Sequence, residues 1–261
     1  MKLNSANINV MVKACRKAAK VLIRDFGEIE NLQVSIKGPG DFVSVSDKKV
    51  EKILIDELLK ARPNYSILSE EVGEIKNDEE FKWIIDPIDG TSNFLHGIPH
   101  FAISIGLEQN NEIICGIVFD PIKDETFVAE KGNGSYLNNQ RIRVSSRSKL
   151  KNCIIFTGGP RSESKNKDLA MEEYKKFSSK VLIPIRKMGS ASLDMAYVAA
   201  GRCDGFWQRN LNYWDIAAGI ILVKEAGGFV TDFQGNNNYL KNKTILATNS
   251  KINEELINIL N

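Results

Sequence analysis

The chain has 261 residues, a formal net charge of +2, 43% hydrophobic residues and 26% charged residues. That length allows one large layered domain or two intimate ones, and the near balance of charge argues against a dedicated nucleic-acid binder or a strongly charged membrane binder. Cys15, Cys115, Cys153 and Cys203 are scattered with no C-x-x-C pair, which fits reduced, buried thiols better than a disulfide frame or a zinc site.

Near the N-terminus, Lys13, Arg16, Lys17 and Lys20 interrupt any apolar core of signal-peptide length. No apolar run reaches transmembrane length, so the expectation is a soluble cytoplasmic protein. Ile8, Met11, Val12, Cys15, Ala18, Ala19 and Leu22 recur at helical spacing, which predicts a helix over Asn7–Phe26 that stops at Gly27. Val34–Val45 reads as two short strands joined by the turn Lys37-Gly38-Pro39-Gly40-Asp41. A second helix is expected from about Ser46 to Ala61, ended by Pro63.

Tyr65–Leu68 predicts a short strand leading into Glu70-Glu71, and the residues from there to Lys82 are polar and loop-like. Trp83-Ile84-Ile85 reads as the end of a buried strand. Pro87 has no N–H for a sheet ladder, so the strand is expected to stop at Asp86 and turn within two residues. Phe101–Glu108, Glu112–Phe119, Glu125–Glu130, Ser135–Leu137 and Ile142–Val144 then predict an antiparallel meander.

Beyond about Leu150 the pattern changes. Strands are expected at Cys153–Phe156, Val181–Ile185, Asp204–Gln208, Phe229–Asp232 and Thr244–Ala247. Helices are expected at Lys167–Lys180, Ser190–Ala200, Tyr213–Ala226 and Lys251–Leu260. This alternation implies a layered α/β half. The expected division is 1–150, an α+β part with most of the candidate ligands, and 151–261, an α/β part, with an extensive interface between them.

Acidic residues at predicted strand ends and helix starts are the candidates for chemistry: Asp47, Glu70-Glu71, Asp86 with Asp89, and Asp215. A turn after Asp86 lets Asp86 and Asp89 converge, although residues three apart on a regular strand face opposite ways. Gly90-Thr91-Ser92-Asn93 has the character of a helix start with free N–H groups suited to an anion. Two carboxylates beside such a nest suit a divalent metal with phosphate. Taken alone, D-x-x-D-G-T equally fits an Asx-type turn closing a strand. Asp204 reads as a turn residue, and Arg141, Arg143, Arg147, Lys149 and Lys151 as a solvated face. His96 and His100 could be acids, ligands or structural groups, while Trp207, Trp214 and Tyr213 read as packing.

Taken together, L-S-E-E at Leu68–Glu71, W-I-I-D-P-I-D-G-T-S-N-F at Trp83–Phe94 and W-D-I-A-A-G at Trp214–Gly219 resemble the inositol monophosphatase family. Asp41–Asp47 and Glu225–Gly228 match further segments of it, so the likeness runs in order along the chain. The resemblance implies a five-layer α-β-α-β-α sandwich of the inositol monophosphatase and fructose-bisphosphatase type, and magnesium-dependent phosphomonoester hydrolysis inhibited by lithium. It implies one magnesium on Glu70, Asp86 and the Ile88 carbonyl, a second on Asp86, Asp89 and Asp215, and a third, weaker one on Glu70 and water. It further implies phosphate over the N–H groups of Gly90 and Thr91, and a water positioned by Glu70 and Thr91 with Asp47 behind Thr91. Lys37 falls in the family's mobile loop, where a solvated lysine and a direct role are both open. The resemblance also makes both histidines structural and suggests a homodimer.

For the substrate, Gly189-Ser190-Ala191 aligns with the loop that contacts the sugar-alcohol ring in the family, and Asp89 remains available to a ring hydroxyl. Gln208 departs from the family's usual Glu: it can accept a hydrogen bond but carries no charge and adds donors. This leaves inositol 1-phosphate and related polyol phosphates as expected substrates. A nucleotide 3′-phosphate, fructose bisphosphate or histidinol phosphate is the alternative. A haloacid-dehalogenase type fits less well, because its two aspartates are two apart and Asp86 and Asp89 are three apart around Pro87. Bacterial members of the family also suggest a different class of role, association with RNA polymerase and its RNA, for which the sequence shows no RNA-binding aromatic motif.

Overall fold

The computed structural model describes residues 5–28, 34–38, 41–77, 80–159 and 167–261; for 34–38, 41–44 and Lys167 the backbone alone is described. Helix α1 (Ala6–Gly27) begins where Ser5 Oγ accepts from the Ile8 N–H at 3.3 Å. Strands β1 (Val34–Gly38) and β2 (Asp41–Ser44) pair antiparallel, and helix α2 (Val45–Ala61) follows. The Pro39-Gly40 tip of the expected turn and the side chain of Lys37 lie outside the described residues. Glu57 of α2 joins the first two helices, taking Lys17 Nζ at 2.7 Å and Lys13 Nζ at 3.2 Å.

The larger sheet contains β3 (Ser66–Ser69), β4 (Gly73–Ile75), β5 (Phe81–Asp89), β6 (Ala102–Gln109), β7 (Glu112–Asp120), β8 (Glu125–Glu130), β9 (Gly134–Leu137) and β10 (Gln140–Ile142). Its spatial order is β10-β9-β8-β7-β6-β5-β3-β4. Strands β6 to β10 form the expected meander, β5 pairs antiparallel with β6, and β3 lies parallel to β5. Two elements depart from expectation here. The polar stretch after Glu71 contributes the edge strand β4, and β10 begins two residues before the predicted position.

The smaller sheet has the order β11-β12-β14-β13, from β11 (Ile155–Thr157), β12 (Gly205–Arg209), β13 (Phe229–Thr231) and β14 (Thr244–Thr248). Helices α3 (Thr91–Leu95), α4 (Lys167–Ser178), α5 (Ala191–Ala199), α6 (Tyr213–Glu225), α7 (Tyr239–Asn242) and α8 (Asn253–Leu260) complete the fold. Val181–Ile185 is not a strand. Leu182 is 77% exposed and Pro184 has no N–H to donate, so contact with β11 is confined to Arg186, whose N–H and carbonyl bond Ile155 and Thr157.

Alternation along the strands builds three cores. Trp83, Ile85, Ile103, Ile105 and Ile117 face α1 and α2. Ile84, Ala102 and Val118 face α5 and α6, which also cover Phe206, Ile245 and Ala247 of the smaller sheet. On that sheet's other face, Trp207 and Leu246 pack with Phe177 of α4 and Leu256 of α8. The result is a five-layer α-β-α-β-α sandwich.

Asp204, fully buried, binds the connection between the sheets. It accepts from Ser145 Oγ, from Arg147 Nε at 2.8 Å, from the Ile154 N–H at 2.8 Å and from Asn249 Nδ2 at 3.3 Å. Arg147 therefore belongs to a structural ion pair rather than to a freely solvated face. The four cysteines are free and buried.

Helix α6 lies close against the larger sheet because β6 and β7 place Gly106 opposite Gly116 beneath it. A Cβ on Gly116 would meet Ile221 Cγ2 at 2.6 Å and the Ala218 carbonyl oxygen at 2.9 Å. Gly116→Ala is expected to cost about 1–3 kcal/mol in denaturant unfolding. Gly27→Ala, with nothing within 4 Å of the added carbon, should change stability by less than about 0.5 kcal/mol. Equal stabilities for the two variants would disprove a packing-limited approach of α6.

Candidate active site

Strand β5 does not stop at Asp86. It continues through Pro87 to Asp89 with a bulge: Asp86 pairs with Ser104 and Asp89 with Ala102. Between those pairs, Pro87 and Ile88 on β5 oppose the single residue Ile103 on β6. The extra residue accommodates the missing N–H of Pro87 and brings both aspartates to one face. Asp86 Oδ1 accepts from the Ile88 N–H at 3.1 Å, which holds the bulge from within. Gly90, with φ +95°, then turns the chain into α3, and a Cβ there would lie 3.1 Å from the His100 carbonyl oxygen and 3.2 Å from that of Gly189.

Asp215 arrives in the first turn of α6, where its Oδ2 accepts from the Asn212 N–H at 2.7 Å. Asp86, Asp89 and Asp215 each present a carboxylate oxygen, and these lie within 4.8 Å of one another. Glu70 directly follows β3, whose Ser69 pairs with Ile85 of β5, so it emerges beside Asp86. Asp47, buried in the first turn of α2, has Oδ1 3.5 Å from Thr91 Oγ1, which also donates to the Ile88 carbonyl at 2.9 Å.

Asp89 is held by the start of α5. Its Oδ2 accepts from Ser190 Oγ at 2.6 Å and from Ser192 N and Oγ at 2.6 and 2.5 Å, while Oδ1 accepts from the Ala191 N–H at 3.3 Å. The Gly189-Ser190-Ala191 loop is thereby tied to Asp89. Gly189 also faces Asn93, whose Nδ2 donates to the carbonyls of His100 and Met188 at 2.7 and 2.8 Å.

Burial, then the charges of Glu70, Asp89, Asp215 and Asp47, hold the Asp86 carboxyl well above its ordinary range. Burial also raises Asp89, against the lowering effect of its bonds to Ser190, Ser192 and Ala191. An all-oxygen cluster of mutually repelling carboxylates fits a hard divalent cation. Asp86, Asp89 and Asp215 could hold one, with Glu70 and the Ile88 carbonyl adjoining.

Three residues that the sequence reading passed over shape this site. Glu51, one helical turn beyond Asp47 and 2% exposed, accepts from Ser69 Oγ and from the N–H groups of Glu71 and Val72 at 3.0 and 3.3 Å, which fixes the turn carrying Glu70. Its spacing from Asp47 was the available signal. Ser192 lies two after Ser190, a helix-start pattern, and Asn93 follows the D-G-T-S run. His96 and His100 stand apart from the cluster. His96 Nδ1 lies 2.7 Å from the Ser92 carbonyl oxygen, and His100 is buried, its imidazole pushed down to about 4, mainly by burial. Trp207 packs on Phe177 at 4.1 Å between ring centroids, and Tyr213 donates to Glu108 Oε2 at 2.6 Å.

An acid whose pKa folding raises keeps full stability only below its unfolded value and costs stability progressively as pH climbs from there through the folded value. In chelator-treated protein, Asp86→Asn should therefore raise the Tm at pH 7, with the gain shrinking as pH falls towards the ordinary carboxylate range. A thermal-unfolding series over pH that shows Asp86→Asn lowering the Tm at pH 7 would refute charge repulsion at this position.

The family model for the inositol monophosphatase family matches residues 4–261. The chain is 51% identical over 257 residues to an inositol-1-monophosphatase of Rhizobium meliloti, covering 98% of this chain and 96% of the relative. It is 39% identical to the Nus factor SuhB of Escherichia coli, covering 94% and 92% of the two chains. The crystal structure of the extragenic suppressor protein suhB from Bartonella henselae superposes with a TM-score of 0.95 at 50% identity, covering 98% of each chain. With the acid cluster, the five layers and a match over nearly its whole length, this chain belongs to the inositol monophosphatase family.

Proposed function

We propose that the chain is a magnesium-dependent phosphomonoesterase that hydrolyses inositol 1-phosphate or a related polyol or sugar phosphate by direct attack of water. The observation that carries the reading is the convergence of Asp86, Asp89 and Asp215 beside the Thr91–Asp47 pair, in a chain of this family. Glu70, Asp86 and the Ile88 carbonyl would hold one magnesium, Asp86, Asp89 and Asp215 a second, and Glu70 with water a third. Bound there, the ions would lower the pKa of water and offset charge on the attacked phosphoryl group and the leaving oxygen.

The chain's own groups supply orientation. Thr91 Oγ1 donates towards the Ile88 carbonyl or Asp47, leaving its lone pairs to accept a hydrogen bond from the attacking water. Glu70 takes that water's other side. The N–H groups of Gly90 and Thr91 would receive the phosphate, where glycine permits close approach. Asp89, Gly189, Ser190, Ala191 and Gln208 would face the alcohol portion of the substrate. No side-chain nucleophile is required, so no phosphorylated aspartate forms.

The chain should release phosphate from inositol 1-phosphate with magnesium and stop on chelation. Asp86→Asn should lose activity by on the order of 10³-fold while keeping its circular dichroism spectrum. A phosphoaspartate trapped in the wild type, or full activity in chelator, would refute the reading.

The similarity to proteins named Nus factor SuhB favours a second reading, association with the transcription machinery. If this role is independent of catalysis, Asp86→Asn protein should retain RNA polymerase from purified components as well as the wild type does. No retention by either form would set this second reading aside.

A further inference from the structure

Helix α6 carries Asp215 in its first turn and meets the larger sheet along its length. A Cβ on Gly106 of β6 would lie 3.0 Å from Ala217 Cβ, and one on Gly116 of β7 would overlap Ile221 and Ala218. These contacts set how closely the helix approaches. A glycine pair offers no ridge to resist sliding or rotation, so register depends on directional bonds. Towards the end of α6, Ser135 Oγ of β9 donates to the Leu222 carbonyl at 2.7 Å, and the Glu225 carboxylate accepts from the N–H groups of Gly132 and Gly134, each at 2.8 Å.

At the start of α6, Tyr213 Oη donates to Glu108 Oε2 at 2.6 Å. Tyr213 opens the helix, two residues before Asp215. Glu108 is buried on β6, two residues beyond Gly106 and on the same face. The same strand pairs with the bulge on β5, its Ser104 opposite Asp86 and its Ala102 opposite Asp89. One bond therefore ties the turn that bears Asp215 to the strand that holds the other two acids in register. Beside it, Tyr213, Ile220, Ile221 and Lys224 line a cavity of about 370 Å³ with Tyr239 and Leu240. Packing on that flank leaves room for the helix start to shift, and the phenol bond restrains it.

We propose that Tyr213 is a positioning residue for the metal site: through Glu108 it holds the first turn of α6 in the register that brings Asp215 to Asp86 and Asp89, and so sets the affinity for a divalent cation. The inference rests on the metal-dependent reading above and deepens it. The Tyr213 hydroxyl bonds Glu108 rather than an acid of the cluster, so it acts through Asp215. Carboxylate oxygens of the three aspartates lie within 4.8 Å of one another. Magnesium tolerates little departure from octahedral geometry, so a small slide of Asp215 weakens its binding. Loosening α6 at Ser135 instead costs stability without releasing the turn that bears Asp215.

The experiment titrates magnesium into chelator-treated, dialysed protein by isothermal calorimetry and records the Tm of each variant. Tyr213→Phe, which keeps the ring, should bind magnesium about fivefold more weakly. Glu108→Ala should do the same, and the double variant should lose no more than either single one. Glu108→Gln, which keeps an acceptor for the phenol, should stay within about twofold of the wild type. The two Glu108 variants test the bond from the sheet side even if Tyr213→Phe does not fold. Ser135→Ala should lower the Tm yet bind magnesium as the wild type does. Unchanged affinity in Tyr213→Phe, additive losses in the double variant, no rescue by Glu108→Gln, or equal weakening in Ser135→Ala would overturn the proposal. A wild type that binds no magnesium is a distinct result, which overturns the metal-dependent reading and this inference with it.

Discussion

The site depends on holding several buried carboxylates close together. Asp89 shows how this is done. Its carboxylate sits at the start of α5 and takes hydrogen bonds from Ser190, Ser192 and Ala191. Those bonds favour the ionised form that burial opposes. They also join the bulged end of β5 to the central helical layer, so the group presented to a cation is also a joint between layers. Asp86 has no comparable relief: one N–H from Ile88 faces the combined charges of four other acids. A hard divalent cation is what such a position would accommodate.

The scaffold tolerates that repulsion because each acid is fixed by backbone geometry. Asp86 and Asp89 share a face through the bulge. Asp47 and Glu51 lie one turn apart on α2, the first reaching Thr91 and the second clasping the turn that carries Glu70. Asp215 depends on a longer chain of causes. Gly106 and Gly116 let α6 approach the sheet, and the Asn212 N–H holds the carboxylate at that helix's first turn. A small residue in the middle of the sheet thus helps to place one acid of the cluster at its end.

Much of this was legible in the sequence because it rests on local periodicity. The helices α1, α2, α5 and α6 and the meander from β6 onward follow from apolar spacing, and the site acids follow from their places at element ends. The failures have physical causes. Pro87 reads locally as a strand stop because it lacks an N–H, but a bulge lets the ladder resume beyond it, and pairing with β6 decides between the two. Val181–Ile185 has strand composition but lacks pairing partners along its length. Asp204 reads locally as a turn, and its role as the anchor of Ser145, Arg147, Ile154 and Asn249 depends on residues distant in sequence. Glu51 was hidden for the same reason, since its partners lie on another element.

The layers also separate two kinds of constraint. Asp47, Glu70, Asp86 and Asp89 come from α2 and the β3–β5 part of the larger sheet, with Thr91 at the start of α3 just beyond β5, and a shift in one acid changes the electrostatic environment of the others. Gln208 comes from β12 of the smaller sheet, and among the described residues its carboxamide bonds none of those acids. Asp215 lies between the two groups, at the head of a helix packed against both sheets. A substitution on β12 therefore falls on a different layer from most of the acids, whereas one on β5 or α2 reaches them directly.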